Sequence, residues 1–305
     1  MSRARDKWKT FRHMLPERFT GLLIFISAVL MLLPIIMLFT GSLMGKQELL
    51  ETCGAVLADY DGQTRFCLFP RYPTLRAYVR LLFDSPEYFT AFWNSMFQVI
   101  CVLLGQLFAA VPAAWAFARF HFPGKKALWI LYMLLMLLPF QVTMVSGYLV
   151  LNTLHLMDTR AAVILPGVFA ALPVFILRKS FAGIPDEIIE AARIDGAGDW
   201  RIFFSIGLPL GKSGISAVLI LGFLEYWNAI EQPMTYLKTK SLWPLSLYLP
   251  QMVNTEIMTA FAASIVTLLP AVLLFLGGQE SLEQGIAMSG IMETEIKNAF
   301  QEERA

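Results

Sequence analysis

The sequence predicts an all-α polytopic membrane protein with six transmembrane helices, on three observations. The 305-residue chain is 57% apolar with a mean hydropathy of +0.60, a composition foreign to soluble globular domains. Its apolar residues gather into six runs, each near the roughly 20 residues needed to cross the hydrocarbon layer. Its few charges collect between those runs, and the basic ones favour alternate loops.

The first 18 residues carry Arg3, Arg5, Lys7, Lys9, Arg12 and Arg18 ahead of an apolar run from Phe19 to Leu43. A signal peptide shares that plan, but this run of 25 residues exceeds a signal core of roughly 7–15, and no small-residue cleavage site follows. It is read as a retained first span behind an N-terminal segment, 1–18. Further spans are expected at about Phe89–Phe117, Ala127–Leu151, Ala161–Leu177, Ser213–Ile230 and Met258–Leu276, the fourth and fifth being short. These give a membrane domain over 19–280 and a C-terminal tail, 281–305. Six spans put both termini on one side. Lys plus Arg number 6, 3, 5 and 2 in segments 1–18, 119–126, 178–212 and 281–305, and 5, 1 and 2 in the loops 44–88, 152–160 and 233–257. That two-to-one bias places both termini and the polar loop 180–212 in the cytoplasm.

Prolines fall inside most spans: Pro34, Pro112, Pro139, Pro166, Pro173 and Pro270. Membrane helices are richer in proline than soluble ones. A bundle around a pathway also accommodates kinks, because neighbours satisfy the freed carbonyls.

In the outer loop 44–88, Asp61-Gly62 between AVLADY and QTRFCLF is a hairpin signal. After Pro73, Leu75, Tyr78 and Leu82 set against Arg76 and Arg80 read as an amphipathic helix on the outer interface. Cys53 and Cys67 share this loop, where a disulfide would stabilise by about 3 kcal/mol. The hairpin, however, pairs Val56 with Cys67 and leaves Cys53 roughly 10 Å further along, beyond the about 7 Å that a disulfide spans. Both features survive only if the first strand bends at Gly54.

The polar loop has clean helix punctuation. Pro185 suits the first helical position, Asp186 and Glu187 favour a helix N-terminus, and Gly196 suits the position just past the end. After Gly196-Ala197-Gly198, Asp199 is placed to cap a second short helix through Ile206, with Gly207 and Pro209 ending it. The adjoining GLPLGKSG, Gly207–Gly214, imitates a phosphate-binding loop but has three residues where four are needed before Gly-Lys-Ser, and no strand precedes it. It reads as a loop entering the fifth span. The chain therefore carries no ATP site of its own.

Other chemistry is as thin. His13, His121 and His155 are far apart and lack cysteine clusters, so no metal site or cofactor is expected. A net charge of +1 says nothing about nucleic acid, and no run of six basic residues suggests it as a partner, so none is expected. No serine or cysteine nucleophile has a partnered histidine, so catalysis has no seat. Two carboxylates do require explanation: Glu225 within the fifth span and Glu231 at its outer end, in FLEYWNAIEQP. An ionised group at mid-membrane costs a few kcal/mol and should face a wet cavity or a partner. With Tyr226, Trp227, Asn228 and Gln232 it forms a set suited to a polar, uncharged ligand such as a sugar. The competing reading makes Tyr226 and Trp227 interfacial belt residues and leaves Glu231 outside the membrane.

Residues 190–209, EAARIDGAGDWRIFFSIGLP, resemble at every fixed position the signature EAA-x3-G-x9-I-x-LP of membrane subunits of ATP-binding-cassette importers. AFARFHFPGKK, LPFQVT, FILRKSFAGIPDEIIEAARIDGA and EYWN are similar to the carbohydrate-importer branch, most nearly its second maltose-type permease, over about 16–290. The resemblance implies the type I importer fold in a bacterial cytoplasmic membrane, with 185–196 as a coupling helix docking on an ATPase subunit. It assigns Glu190, Ala191, Ala192, Asp195, Gly196, Ile206, Leu208 and Pro209 to coupling. It carries Trp227 and Asn228 over to the substrate path, where Gln141 of LPFQVT, Glu225 and Tyr226 join them. It further implies ATPase subunits, a second homologous permease, an extracytoplasmic solute-binding protein and the lipid bilayer as partners. Ala229 stands where the family has aspartate, Glu225 where small residues are usual, and GIAMSGIME lacks the usual lysine before an acidic, helix-like tail from Glu293. An importer permease for a non-sugar solute is the nearest alternative. A stand-alone secondary transporter or a membrane scaffold would have no use for the coupling loop, and no inverted repeat is visible.

Overall fold

The computed structural model describes the backbone of residues 2–57 and 67–290, with side chains over 20–53 and 67–279. The described residues are helical, joined by turns and short loops. In order the helices are α1 Ser2–Ser42, α2 Lys46–Leu57, α3 Arg76–Asp84, α4 Pro86–Arg119, α5 Lys125–Leu137, α6 Phe140–Thr153, α7 Arg160–Val168, α8 Ala171–Ala182, α9 Asp186–Ile194, α10 Asp199–Leu210, α11 Lys212–Trp227, α12 Glu231–Tyr236, α13 Leu245–Thr255 and α14 Ile257–Gly290.

Four stretches are long and apolar enough to cross a membrane: Thr20–Ser42, Pro86–Arg119, Arg160–Ala182 and Ile257–Gln279. The count rises to six if each of two bent pairs is one span. The predicted third span is not continuous. It breaks by 104° between α5 and α6, because Pro139 lacks the N–H that would carry the helix on and holds its own backbone extended as the N-cap of α6. The fourth is longer than predicted. It runs to Ala182 through a break at Phe169-Ala170, where the Gly167 carbonyl accepts from the Ala170 N–H (3.2 Å) and also from Gln106 Nε2 (2.8 Å) and the Tyr226 hydroxyl (3.3 Å). Neighbouring helices thus repay the broken ladder.

Contacts divide the chain into two compact units, Met1–Pro86 with Leu249–Val266, and Glu87–Tyr248 with Thr267–Ala305. In the first, α3 forms where the amphipathic spacing placed it. It buries Ala77 and Leu81 and pairs the Tyr78 hydroxyl with Ser42 Oγ at 2.8 Å, leaving Leu75 and Leu82 exposed. The expected hairpin is corrected on its first arm, since Ala55–Leu57 belong to α2; Asp61-Gly62 lies outside the described residues, as does the acidic tail. Cys53 and Cys67 are free thiols.

The second unit contains the main core. Ala110, Ala114, Trp115 and Phe117 of α4 pack with Val174–Leu177 and Phe181 of α8, Ile189 of α9, Ile202 and Phe203 of α10 and Val218 of α11. A polar stripe on α4 is buried as well. Asn94 Nδ2 donates to the Ser241 carbonyl (2.7 Å), Ser95 Oγ accepts from the Leu245 N–H (2.7 Å), and Asn94 Oδ1 accepts from Arg160 (3.1 Å). These bonds fix the loop after α12. Asp158, at φ 58°, clamps the same loop through the N–H groups of Lys238 and Thr239 and the Thr239 hydroxyl, which hold its carboxyl below the usual carboxylate range.

Candidate functional site

The polar loop builds its site from α9. Pro185 is the N-cap, one position earlier than predicted, with Asp186 and Glu187 in the first turn. Gly196 has φ +82° and closes the helix. The Ala197 N–H reaches the Ala192 carbonyl (2.9 Å) and the Gly196 N–H reaches Arg193 (3.0 Å), which is the double bond pattern of a Schellman motif. Ion pairing of Arg193 with Asp199 (3.1 Å) spans the turn.

One face of α9 is anchored and the other is free. Ile189 is buried and Ala192 half-buried in the core, whereas Glu187, Glu190, Ala191, Asp195 and Gly196 are exposed. Ile194, which the sequence reading did not single out, is 87% exposed. It stands beside the exposed Glu190 and Ala191 on the free face of α9.

Arg119, at the last turn of α4, was also missed. Its guanidinium donates to the carbonyls of Phe181 (2.6 Å) and Ile184 and pairs with Asp186. It therefore binds carbonyls in the last turn of α8 and in the turn that follows it, and fixes the start of α9. A cation in the last turn of a long apolar helix was the available signal.

The second half of the loop departs from expectation. Gly207 and Pro209 do not end a helix. α10 passes through a π turn at Phe203–Gly207, continues to Leu210, and meets α11 at a 66° bend. Gly207, Gly211 and Gly214 instead allow close packing. A Cβ on them would lie 2.7 Å from the Trp115 ring, 2.3 Å from the Phe181 ring and 2.5 Å from Ser180. The glycines that imitate a phosphate loop are thus a small-residue face. Among the coupling candidates, Ile206 and Leu208 pack against the core and Pro209 is exposed.

The predicted substrate set separates. Trp227 is buried, stacked on Phe223 (5.3 Å) and edge-on to Phe92 (5.7 Å). Its aromatic neighbours enclose the ring. Tyr226 is half-buried, and its hydroxyl is committed to Gln106 and Gly167. Glu225 and Asn228 are exposed. Gln141, at the break between α5 and α6, donates to both Glu231 carboxylate oxygens (2.8 and 3.0 Å), joining two residues 90 positions apart. Neither Glu225 nor Glu231 forms an ion pair among the described residues.

The fold and this loop define a helical multi-pass membrane protein that presents a capped, exposed helix between spans. Residues 106–288 match the family model described as "binding-protein-dependent transport system inner membrane component", and the chain belongs to that family. It is 31% identical to the arabinooligosaccharides transport permease AraQ of Halalkalibacterium halodurans, over 73% of this chain and 81% of that one. It is 30% identical to the sn-glycerol-3-phosphate transport permease UgpE of Yersinia pestis bv. Antiqua, over 64% and 72%. A bacterial transporter that imports the acidic polysaccharide alginate shares the fold, with a TM-score of 0.75 at 22% identity over 88% of this chain and 96% of that one.

Proposed function

We propose that this chain is the permease subunit of a binding-protein-dependent importer that passes a sugar or oligosaccharide inward, driven by ATP hydrolysis in a partner subunit. The observation that carries it is the exposed face of α9, Glu187, Glu190, Ala191 and Ile194, held rigid by Arg119 at one end and Gly196 at the other. A short helix with one anchored face and a free, partly apolar one suits a groove on an ATPase subunit. ATP-driven closure of two such subunits would move the paired coupling helices together, and differential affinity for the two states would supply the work. The second permease would be a similar chain, the solute-binding protein would deliver cargo on the outer side, and both termini would lie in the cytoplasm, as the Lys/Arg count supports.

The cargo reading rests on relatives and on charge. AraQ moves arabinooligosaccharides and UgpE moves sn-glycerol-3-phosphate. The carboxylates of Glu225 and Glu231, which form no ion pair among the described residues, favour a neutral hydroxyl-rich solute over an anion. The NH2 groups of Gln141 and Asn228 are engaged by Glu231 and by the Leu224 carbonyl, which leaves their amide oxygens to accept from solute hydroxyls. Co-expression with candidate ATPase, partner permease and binding protein tests the proposal. ATP hydrolysis stimulated by sugar-loaded binding protein is the expected result. A chain that purifies as a stable lone oligomer and transports without an ATPase would overturn it.

A further inference from the structure

We propose that α10 lies in the lipid headgroup layer and that Trp200 and Phe204 are its membrane anchor. The proposal goes beyond docking at α9 and rests only on α11 being part of a span.

The bend sets the depth. The 12 residues of α10 rise about 18 Å along their own axis at ~1.5 Å each. The axis is turned 66° from α11, so only about 7 Å of that rise is directed along the span. The headgroup region on each side of the hydrocarbon is roughly 5–8 Å deep. The whole of α10 therefore stays within the layer that begins where α11 leaves the hydrocarbon. α9 follows beyond the Gly196–Gly198 turn and is not held to that depth.

The side chains fit such a layer. Ile202, Phe203 and Gly207 face the core, while Trp200 is 73% exposed and Phe204 57% exposed. The two exposed rings stack at 6.2 Å, 21° between planes. A stacked indole–phenyl pair is costly to leave in water, and it belongs where one side of the ring meets acyl chain and the other meets headgroups. Arg201 and Lys212 are exposed nearby, and Asp199 is neutralised by Arg193, so the local charge suits lipid phosphate. Trp200 and Phe203 also line a cavity of about 360 Å³ with Pro112, Trp115, Phe120 and Asp199, a mostly apolar recess into which an acyl segment fits.

The test is lipid quenching of tryptophan fluorescence. The assembled importer and its Trp200→Phe variant are placed in nanodiscs containing anionic lipid, with or without bromine near the glycerol end of the acyl chain. The difference between the two proteins isolates Trp200; Trp200→Tyr is the second reference if the phenylalanine variant fails to assemble. The expected result is a loss of the Trp200 component with brominated lipid, as for a ring seated at the headgroup–acyl boundary, unchanged by removing the ATPase subunits. A Trp200 component indifferent to bromine but shifted by adding the ATPase would overturn the proposal and assign this face to the ATPase. Either result is independent of whether α9 docks.

Discussion

Replacing Arg119 by methionine should abolish binding-protein-stimulated ATP hydrolysis and transport together without preventing insertion. Arg119 is 9% exposed and binds two carbonyls, those of Phe181 and Ile184, in residues that are themselves buried. Methionine fills a similar volume but offers no donor. Each lost bond to a charged donor is worth about 1.5 kcal/mol at the low end of its range, so the two together cost roughly 3 kcal/mol. Its third partner, Asp186, is 80% exposed, and in water that pair adds little. A loss of about 3 kcal/mol lowers the population of the ordered loop roughly a hundredfold relative to its frayed forms. The assay is binding-protein-stimulated ATP hydrolysis beside uptake in proteoliposomes, with assembly checked by co-purification. Arg119→Met should lose stimulation and uptake together, and Arg119→Lys should recover part, since an ammonium lacks the planar fork that serves two acceptors at once. An assembled Arg119→Met importer that couples like its parent would refute the strut argument.

Further outcomes follow from the same geometry. Gly196→Val should weaken coupling by about 1–2 kcal/mol, because φ +82° is closed to a β-branched residue. Gly198→Ala, at φ −73° with open space around it, should be silent in the same ATPase assay. Gly211→Leu should lower the detergent melting temperature and the yield of assembled complex, since even its Cβ would lie 2.3 Å from the Phe181 ring. Glu225→Gln should change uptake rate more than assembly, and unchanged uptake at normal expression would remove Glu225 from the path. The Asp158 clamp depresses its folded pKa, so its stabilisation is present above the unfolded pKa and fades as pH falls through the folded one; Asp158→Asn should abolish that acid-side dependence in a melting series.

The first half of the polar loop, α9, was legible in the sequence because its determinants are local. Pro185, the acidic first turn and Gly196 act within one helix, and the structure shifts only one boundary by a residue. What escaped depends on distant partners. Gly207 looked like a stop, but its lack of a side chain serves the Trp115 ring on another helix. Trp227 looked available beside Asn228, yet Phe92, 135 positions earlier, helps to bury it. Pro139 was visible as a kink, but nothing in an unbroken apolar run distinguishes a kink from a 104° break. Arg119 stood in plain view, and its acceptors could be known only once α4 and the end of α8 were brought together.

The central claim is that the exposed face of α9 receives the ATPase. The direct measurement is site-specific crosslinking in the assembled importer, with its three native cysteines replaced and single cysteines placed at Glu190, Ala191 and, as a control, the exposed Tyr72 of the 44–88 loop. Crosslinks to the ATPase subunit from Glu190→Cys and Ala191→Cys, and none from Tyr72→Cys, are the predicted result. An active complex in which the α9 positions remain open to a water-soluble thiol reagent and never crosslink to the ATPase would contradict it.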